Sequence, residues 1–179
     1  MRLTVVGCSG SVVGAHTPAS CYLLQSATHR PIIMDIGNGS MGGLQDLVDP
    51  SDCDLVLSHL HPDHIADISS LIVWRRYSHK STNTPATVLG PSTFLEKVGE
   101  WFADDYGTRH DLTDTFDFHP WDLAAPQSLG GFTFQAFRAD HPGEAYCMRV
   151  KEDSTGATFC FSGDTGPANG IHSASAGVD

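Results

Sequence analysis

The six residues His59-Leu60-His61-Pro62-Asp63-His64 place three imidazoles and a carboxylate directly after the apolar run Leu55-Val56-Leu57-Ser58. Any fold of this chain must offset the desolvation of these groups, because isolated polar and charged side chains are costly to bury. A shared cation does so. Neutral imidazole nitrogens together with a carboxylate form a donor set suited to zinc and its first-row neighbours. Where the chain leaves a strand in extended form, side chains alternate with period two, so His59 and His61 point to the same side and can grip one ion. Asp63 and His64 follow where the chain turns into the helix-compatible run 65–77, close enough to serve a second position. Chance or a helix cap would account for one histidine; for this cluster a metal site is the better account.

Further candidate donors lie on three other strand ends. Residues 132–139 read as a strand that stops at Asp140-His141-Pro142, and 158–162 as one that stops at Gly163-Asp164-Thr165-Gly166. Upstream, Pro31-Ile32-Ile33-Met34 leads to Asp35-Ile36-Gly37-Asn38-Gly39. Taken alone, Asp35 is equally well an ordinary turn aspartate ahead of a glycine.

Short apolar runs at 3–6, 21–25, 32–34, 55–57, 87–89, 132–137, 146–150 and 158–161 predict strands, and the patterns at 41–48, 65–77 and 92–106 predict helices. The interleaving predicts an α/β layered domain, and 179 residues suit a single core spanning 1–179. The polar stretch 78–85 reads as an exposed loop, and 104–117 as an acidic connection. His16, His29, His79, His110 and His119 read as surface residues. Cys8, Cys21, Cys53, Cys147 and Cys160 form no C-x-x-C pair, and their odd number fits reduced, buried thiols. No apolar run approaches the ~18 residues of a membrane span, and the start lacks a signal-peptide pattern, so a cytoplasmic protein without membrane partners is expected. The glycines at 7, 10 and 14 do not match a dinucleotide fingerprint, which requires a helix to follow. Here another strand-like run follows, and a glycine hairpin is the reading.

The order Asp35, His59-x-His61-x-Asp63-His64, His141 and Asp164 resembles the metallo-β-lactamase superfamily over essentially the whole chain, specifically the phosphodiesterase branch that includes ribonuclease Z and bacterial cyclic-nucleotide phosphodiesterases. The resemblance implies an αββα sandwich and two divalent metal ions, zinc first, with manganese or iron also accepted by such ligands. It implies His59, His61 and His141 at one metal, Asp63 and His64 at the second, and Asp164 bridging both. Asp63 and Asp164 would then take part in catalysis, hydrolysis proceeding through a metal-bridging hydroxide. Asp35 matches the carboxylate that orients a histidine ligand from behind. The family completes its second site with a histidine on a later loop, whereas 15 residues follow Asp164 here (179 − 164). His172, in a helix-like segment, is not assigned that role. The expectation is a metallo-hydrolase domain incomplete at its C-terminus, lacking its last strands and helices. Its second site would be weak or completed by exchange in a homodimer.

Substrate class follows from charge and spacing. Net charge is −11 with ten Lys plus Arg, and proteins that grip polyanions present a basic face. Arg75, Arg76 and Lys80 read as a solvated helix end. His141 and Asp164 are 23 positions apart (164 − 141), enough for a strand pair but not for the tRNA-gripping arm that ribonuclease Z carries there. A small phosphodiester, such as a cyclic nucleotide, is therefore the expected substrate. A tRNA 3′-processing endoribonuclease is the alternative, an inactive metal-binding remnant the third reading, and acyl substrates stay open.

Overall fold

A computed structural model describes residues 1–78 and 84–179. The N-terminal half builds a six-stranded sheet in the order β1 (Arg2–Gly7), β2 (Cys21–Gln25), β3 (Ile32–Ile36), β4 (Asp54–Val56), β5 (Ala86–Gly90), β6 (Phe116–Pro120). The first three pair antiparallel, and β3 to β6 run parallel. The C-terminal part builds an antiparallel sheet of β7 (Gln127–Leu129), β8 (Phe132–Arg138), β9 (Tyr146–Glu152) and β10 (Thr158–Phe161), ordered β10-β9-β8-β7.

Period-two alternation sorts the strand residues between two apolar layers. Leu23, Ile33, Leu55 and Val88 pack under the helices α1 (Ser40–Leu47), α3 (Ile68–Tyr77) and α4 (Phe94–Trp101), through Met41, Leu44, Leu71, Ile72, Phe94 and Val98. Their neighbours Leu24, Ile32, Met34, Val56 and Leu89 face the other way and meet Phe132, Phe134, Met148 and Val150 of the second sheet. Strands covered on both faces read as continuous apolar runs, and β3 is buried at all its positions. On the outer face of the second sheet lies α5 (Asn169–Ser175). Its close seating depends on Gly170, where a Cβ would come within 1.9 Å of the Arg138 carbonyl oxygen. Helices, sheet, sheet and helix thus stack in the order αββα.

The structure corrects several expectations. The helix predicted over 65–77 is two, α2 (Pro62–Ile65) and α3, separated at 66–67. The one predicted over 92–106 is confined to α4. Strands β6 and β7 escape a hydrophobicity reading because Asp117, His119 and Ser128 interrupt their short runs. Cys21, Cys53 and Cys147 are buried as expected, but Cys8 is exposed and Cys160 half-buried, all five being free. The connection after α4 is tied down by buried Leu112 and by Arg76, which donates to Asp114 at 2.6 Å. Arg75 is no solvated helix end. It is buried and donates to the Ser51 carbonyl at 2.5 Å. His79 and Lys80 lie outside the described residues, as does most of the loop read at 78–85. No helix among the described residues is long and apolar enough to cross a membrane.

Candidate metal centre

The site gathers where strands end. Asp35 belongs to β3, His59 lies just beyond β4, His61 precedes α2, and Asp63 and His64 sit in its short helical turn. His141 follows β8 and Asp164 follows β10. Chain segments far apart in sequence meet here because β4 and the β8–β9 hairpin belong to facing sheets; the Tyr146 N–H donates across to the Ser58 carbonyl at 3.1 Å.

Asp35 is the buried hub. Its carboxylate accepts from the Ser58 N–H at 2.8 Å and the Ser58 hydroxyl at 2.7 Å, and its Oδ2 lies 2.6 Å from His64 Nδ1. Its backbone φ is 55°, a left-handed conformation that costs a non-glycine residue energy and persists where surroundings over-determine it. The short contact to Asp35 places the His64 proton on Nδ1, so the lone pair of Nε2 faces the cleft. The same logic fixes His59. Ser58 Oγ spends its proton on Asp35 and accepts from His59 Nδ1 at 3.1 Å, which leaves His59 Nε2 as the bare acceptor.

That nitrogen is buried and has no hydrogen-bond partner among the described residues, an expensive arrangement unless a cation meets it. His61 Nδ1 and His141 Nε2 stand 3.0 Å apart, close to the roughly 3.3 Å edge of a tetrahedron built on 2.0–2.1 Å zinc–nitrogen bonds. Donor atoms of His59, His61 and His141 all lie within 4.8 Å of one another, as do those of His59, His64 and Asp164. Asp63 approaches the second group through a 3.5 Å contact with His64 Nε2, and Asp164 through one of 3.3 Å. Every donor singled out in the sequence is therefore brought to one place, with Asp35 behind His64. The exposed His172 of α5 is not among them.

Electrostatics suit cation binding. Burial, reinforced by the neighbouring His64 ring, pushes the His59 pKa down to about 4; burial and the adjacent His141 lower that of His61. Both shifts favour the neutral ring that ligation requires. For His64 burial opposes the charged form, but the Asp35 hydrogen bond and charge outweigh it and raise the pKa. Burial alone would raise the Asp63 carboxyl, yet the Ser11 N–H, donating at 2.8 Å, and His64 hold it below its ordinary value. Sequence reasoning missed Ser58 and the Ser11 amide. Neither carries a metal-binding signature, and only their placement gives them work.

Two polar clefts flank the cluster. One is bordered by Cys8, Tyr22, His64 and Asp164, the other by His59, His61, Thr93, Lys97 and Glu144. A larger apolar groove of about 650 Å³ lies along α3, lined by Val73, Trp74, Tyr77 and Phe102. Among the described residues its lining offers a single titratable group, Tyr77, so the chemistry points to the histidines instead.

The family described as "Beta-lactamase superfamily domain" matches residues 41–177. The protein Rv1339 of Mycobacterium tuberculosis is 40% identical over 179 residues, which are all of this chain and 65% of that protein. The chain thus spans just under two thirds of this curated relative. The metallo-beta-lactamase fold protein YhfI from Bacillus subtilis superposes with a TM-score of 0.78 at 24% identity, over 93% of this chain and 64% of that one. The short form of human tRNase Z does so with a TM-score of 0.66 at 19% identity, over 95% and 70%. A family match running from α1 to the end of α5, on a fold whose strand ends gather this donor set, means that the chain belongs to the beta-lactamase superfamily.

Proposed function

We propose that this chain forms the metal-binding core of a hydrolase acting on a small phosphodiester. The observation that carries the reading is the convergence of unpartnered His59 Nε2 with His61 and His141 on one side, and with His64 and Asp164 on the other. The names of two relatives support hydrolysis, a "Probable metallo-hydrolase" in Bacillus subtilis and a ribonuclease Z in a Mycobacterium strain.

In this reading His59, His61 and His141 would hold one divalent cation and Asp63 and His64 a second, with Asp164 available to serve both. Cations there would supply Lewis acidity and bring the pKa of a water toward neutrality. The chain's own residues do the rest. Asp35 fixes the His64 ring by holding its Nδ1 proton, and Ser58 couples that hold to His59. The Ser11 amide aims the Asp63 carboxylate inward.

Charge and shape favour a small substrate over a nucleic acid. The chain carries −11, and several cations serve the fold: Arg75 binds a backbone carbonyl, Arg76 binds Asp114, and Arg109 binds Glu96 and Glu100. Between His141 and Asp164 the chain spends its length on β9 and β10, leaving nothing for a protruding arm.

The test combines elemental analysis of protein purified without chelator with hydrolysis of cyclic AMP, bis(p-nitrophenyl) phosphate, precursor tRNA and p-nitrophenyl acetate. Stoichiometric metal with turnover of the two diesters is expected. Cleavage of precursor tRNA without the small diesters would favour the endoribonuclease reading. Metal binding with no turnover of any substrate would overturn catalysis by this chain.

A further inference from the structure

We infer that Lys97 binds an anionic oxygen of the substrate beside the His59–His61 position and thereby gives the site its preference for phosphodiesters over neutral esters. The inference rests on the phosphodiester reading above and names the residue that would enforce it.

Lys97 lies on the cleft-facing side of α4, half-buried, and its Nζ donates to the Leu60 carbonyl at 2.7 Å. Leu60 is the residue between His59 and His61, so the ammonium is held next to the donor cluster. The same Nζ stands 5.3 Å from the Trp101 ring centroid, which fixes its stem. An ammonium has three donors, and the Leu60 carbonyl takes one.

The natural counter-ions are engaged elsewhere. Glu96 and Glu100, on the same helix, both pair with Arg109. Glu144 lines the opposite wall of the cleft, and its carboxylate accepts from the Ser92 N–H at 3.0 Å, the Ser92 hydroxyl at 2.7 Å and the Tyr146 hydroxyl at 2.5 Å. Those bonds clasp the start of α4 to the β8–β9 loop, and so hold the walls of a cleft of about 180 Å³ at a set width. Among the described residues no carboxylate pairs with Lys97. In a chain this acidic, a half-buried cation without a counter-ion, facing a polar cleft beside a cation site, is a place for an anion brought by the substrate. A phosphodiester carries that charge through the reaction, whereas a neutral ester does not.

The simpler role for Lys97 is to tie down the Leu60 loop, and the experiment separates the two. Metal-loaded wild type, Lys97→Met and Lys97→Arg would be titrated with inorganic phosphate by calorimetry, then assayed with bis(p-nitrophenyl) phosphate and p-nitrophenyl acetate. With metal content unchanged, Lys97→Met should weaken phosphate binding about 10- to 100-fold, the range for one hydrogen bond to a charged group. It should raise the KM for the diester correspondingly, and leave the neutral ester within about threefold; Lys97→Arg should recover most of the loss. Unchanged phosphate affinity in Lys97→Met, or no phosphate binding by wild type, would overturn the inference. If Lys97→Met folds poorly, wild type decides alone. The chain has three lysines, Lys80, Lys97 and Lys151, so side-chain 15N resonances can be followed directly, and a phosphate titration that leaves the Lys97 signal in place would equally overturn it. A Lys97 response without diester turnover would keep the anion site and reject the phosphodiester reading.

Discussion

At the scale of single residues, the site works through proton positions that the geometry dictates. Asp35 and Ser58 fix which nitrogen of His64 and of His59 is bare, and such outer partners are worth 10- to 100-fold in metal affinity. Asp35→Asn should therefore weaken metal binding by about that factor in a chelator competition, the backbone keeping its conformation because asparagine tolerates the positive φ found there. The pH dependence of the metal-free protein follows from His59. Its folded pKa, about 4, lies below its ordinary 6.5, so the unfolded state takes up the proton first. The contribution of His59 is full above about pH 6.5 and is lost as pH falls toward 4. The raised pKa of His64 acts in the opposite sense, contributing below its ordinary value and fading as pH rises. Chelator-treated wild type should lose denaturant resistance between pH 6.5 and 4.5, and a His59→Gln variant should lose less over the same interval. Equal losses would remove His59 as the cause. The sequence named the donors but not these tautomers, since neither Ser58 nor the φ of Asp35 leaves a trace in spacing.

At the scale of elements, close approaches set where the ligands stand. The single helix predicted over 65–77 breaks because Asp67 has two other tasks. Its N–H donates to the Ile36 carbonyl at 3.1 Å, and its carboxylate accepts from the Met41 N–H at 2.9 Å, capping α1. The break leaves α2 as a short turn that holds Asp63 and His64 against β3. Gly37 permits this contact, because a Cβ there would lie 2.0 Å from the Asp63 carbonyl oxygen. Gly37→Ala should push α2 away from the sheet, lowering stability by about 1–3 kcal/mol, the range for overpacking, and weakening metal binding with it. Thermal melts with and without zinc would read both, and a variant melting like wild type would count against the clash. Strands such as 21–25 and 158–161 were legible to the residue because their apolar runs are bounded by turns. Strands β6 and β7 were not, because an edge strand needs no apolar run to pair.

At the scale of the whole molecule, the sheet-on-sheet layer holds the two halves of the site in register. His59 to His64 follow strand β4 of the first sheet, while His141 and Asp164 follow strands β8 and β10 of the second, and Phe132 and Phe134 pack between the sheets. Phe134→Ala should cost about 3–5 kcal/mol in denaturant unfolding, and the destabilised protein should release metal more readily, since the donors no longer share one rigid frame. A loss below about 1 kcal/mol would indicate that this layer is not what couples the sheets. By itself the sequence determined the donor types, their clustering and the alternation of strands and helices, because ligand chemistry and hydrophobic period are local properties of the chain. Only the tertiary structure decided that His141 and Asp164 meet His59 and His64, that Asp35 stands behind His64, and that Lys97 has no carboxylate partner among the described residues. Those relations depend on which sheet faces which and on where each side chain's other partners already lie, and no local pattern encodes either.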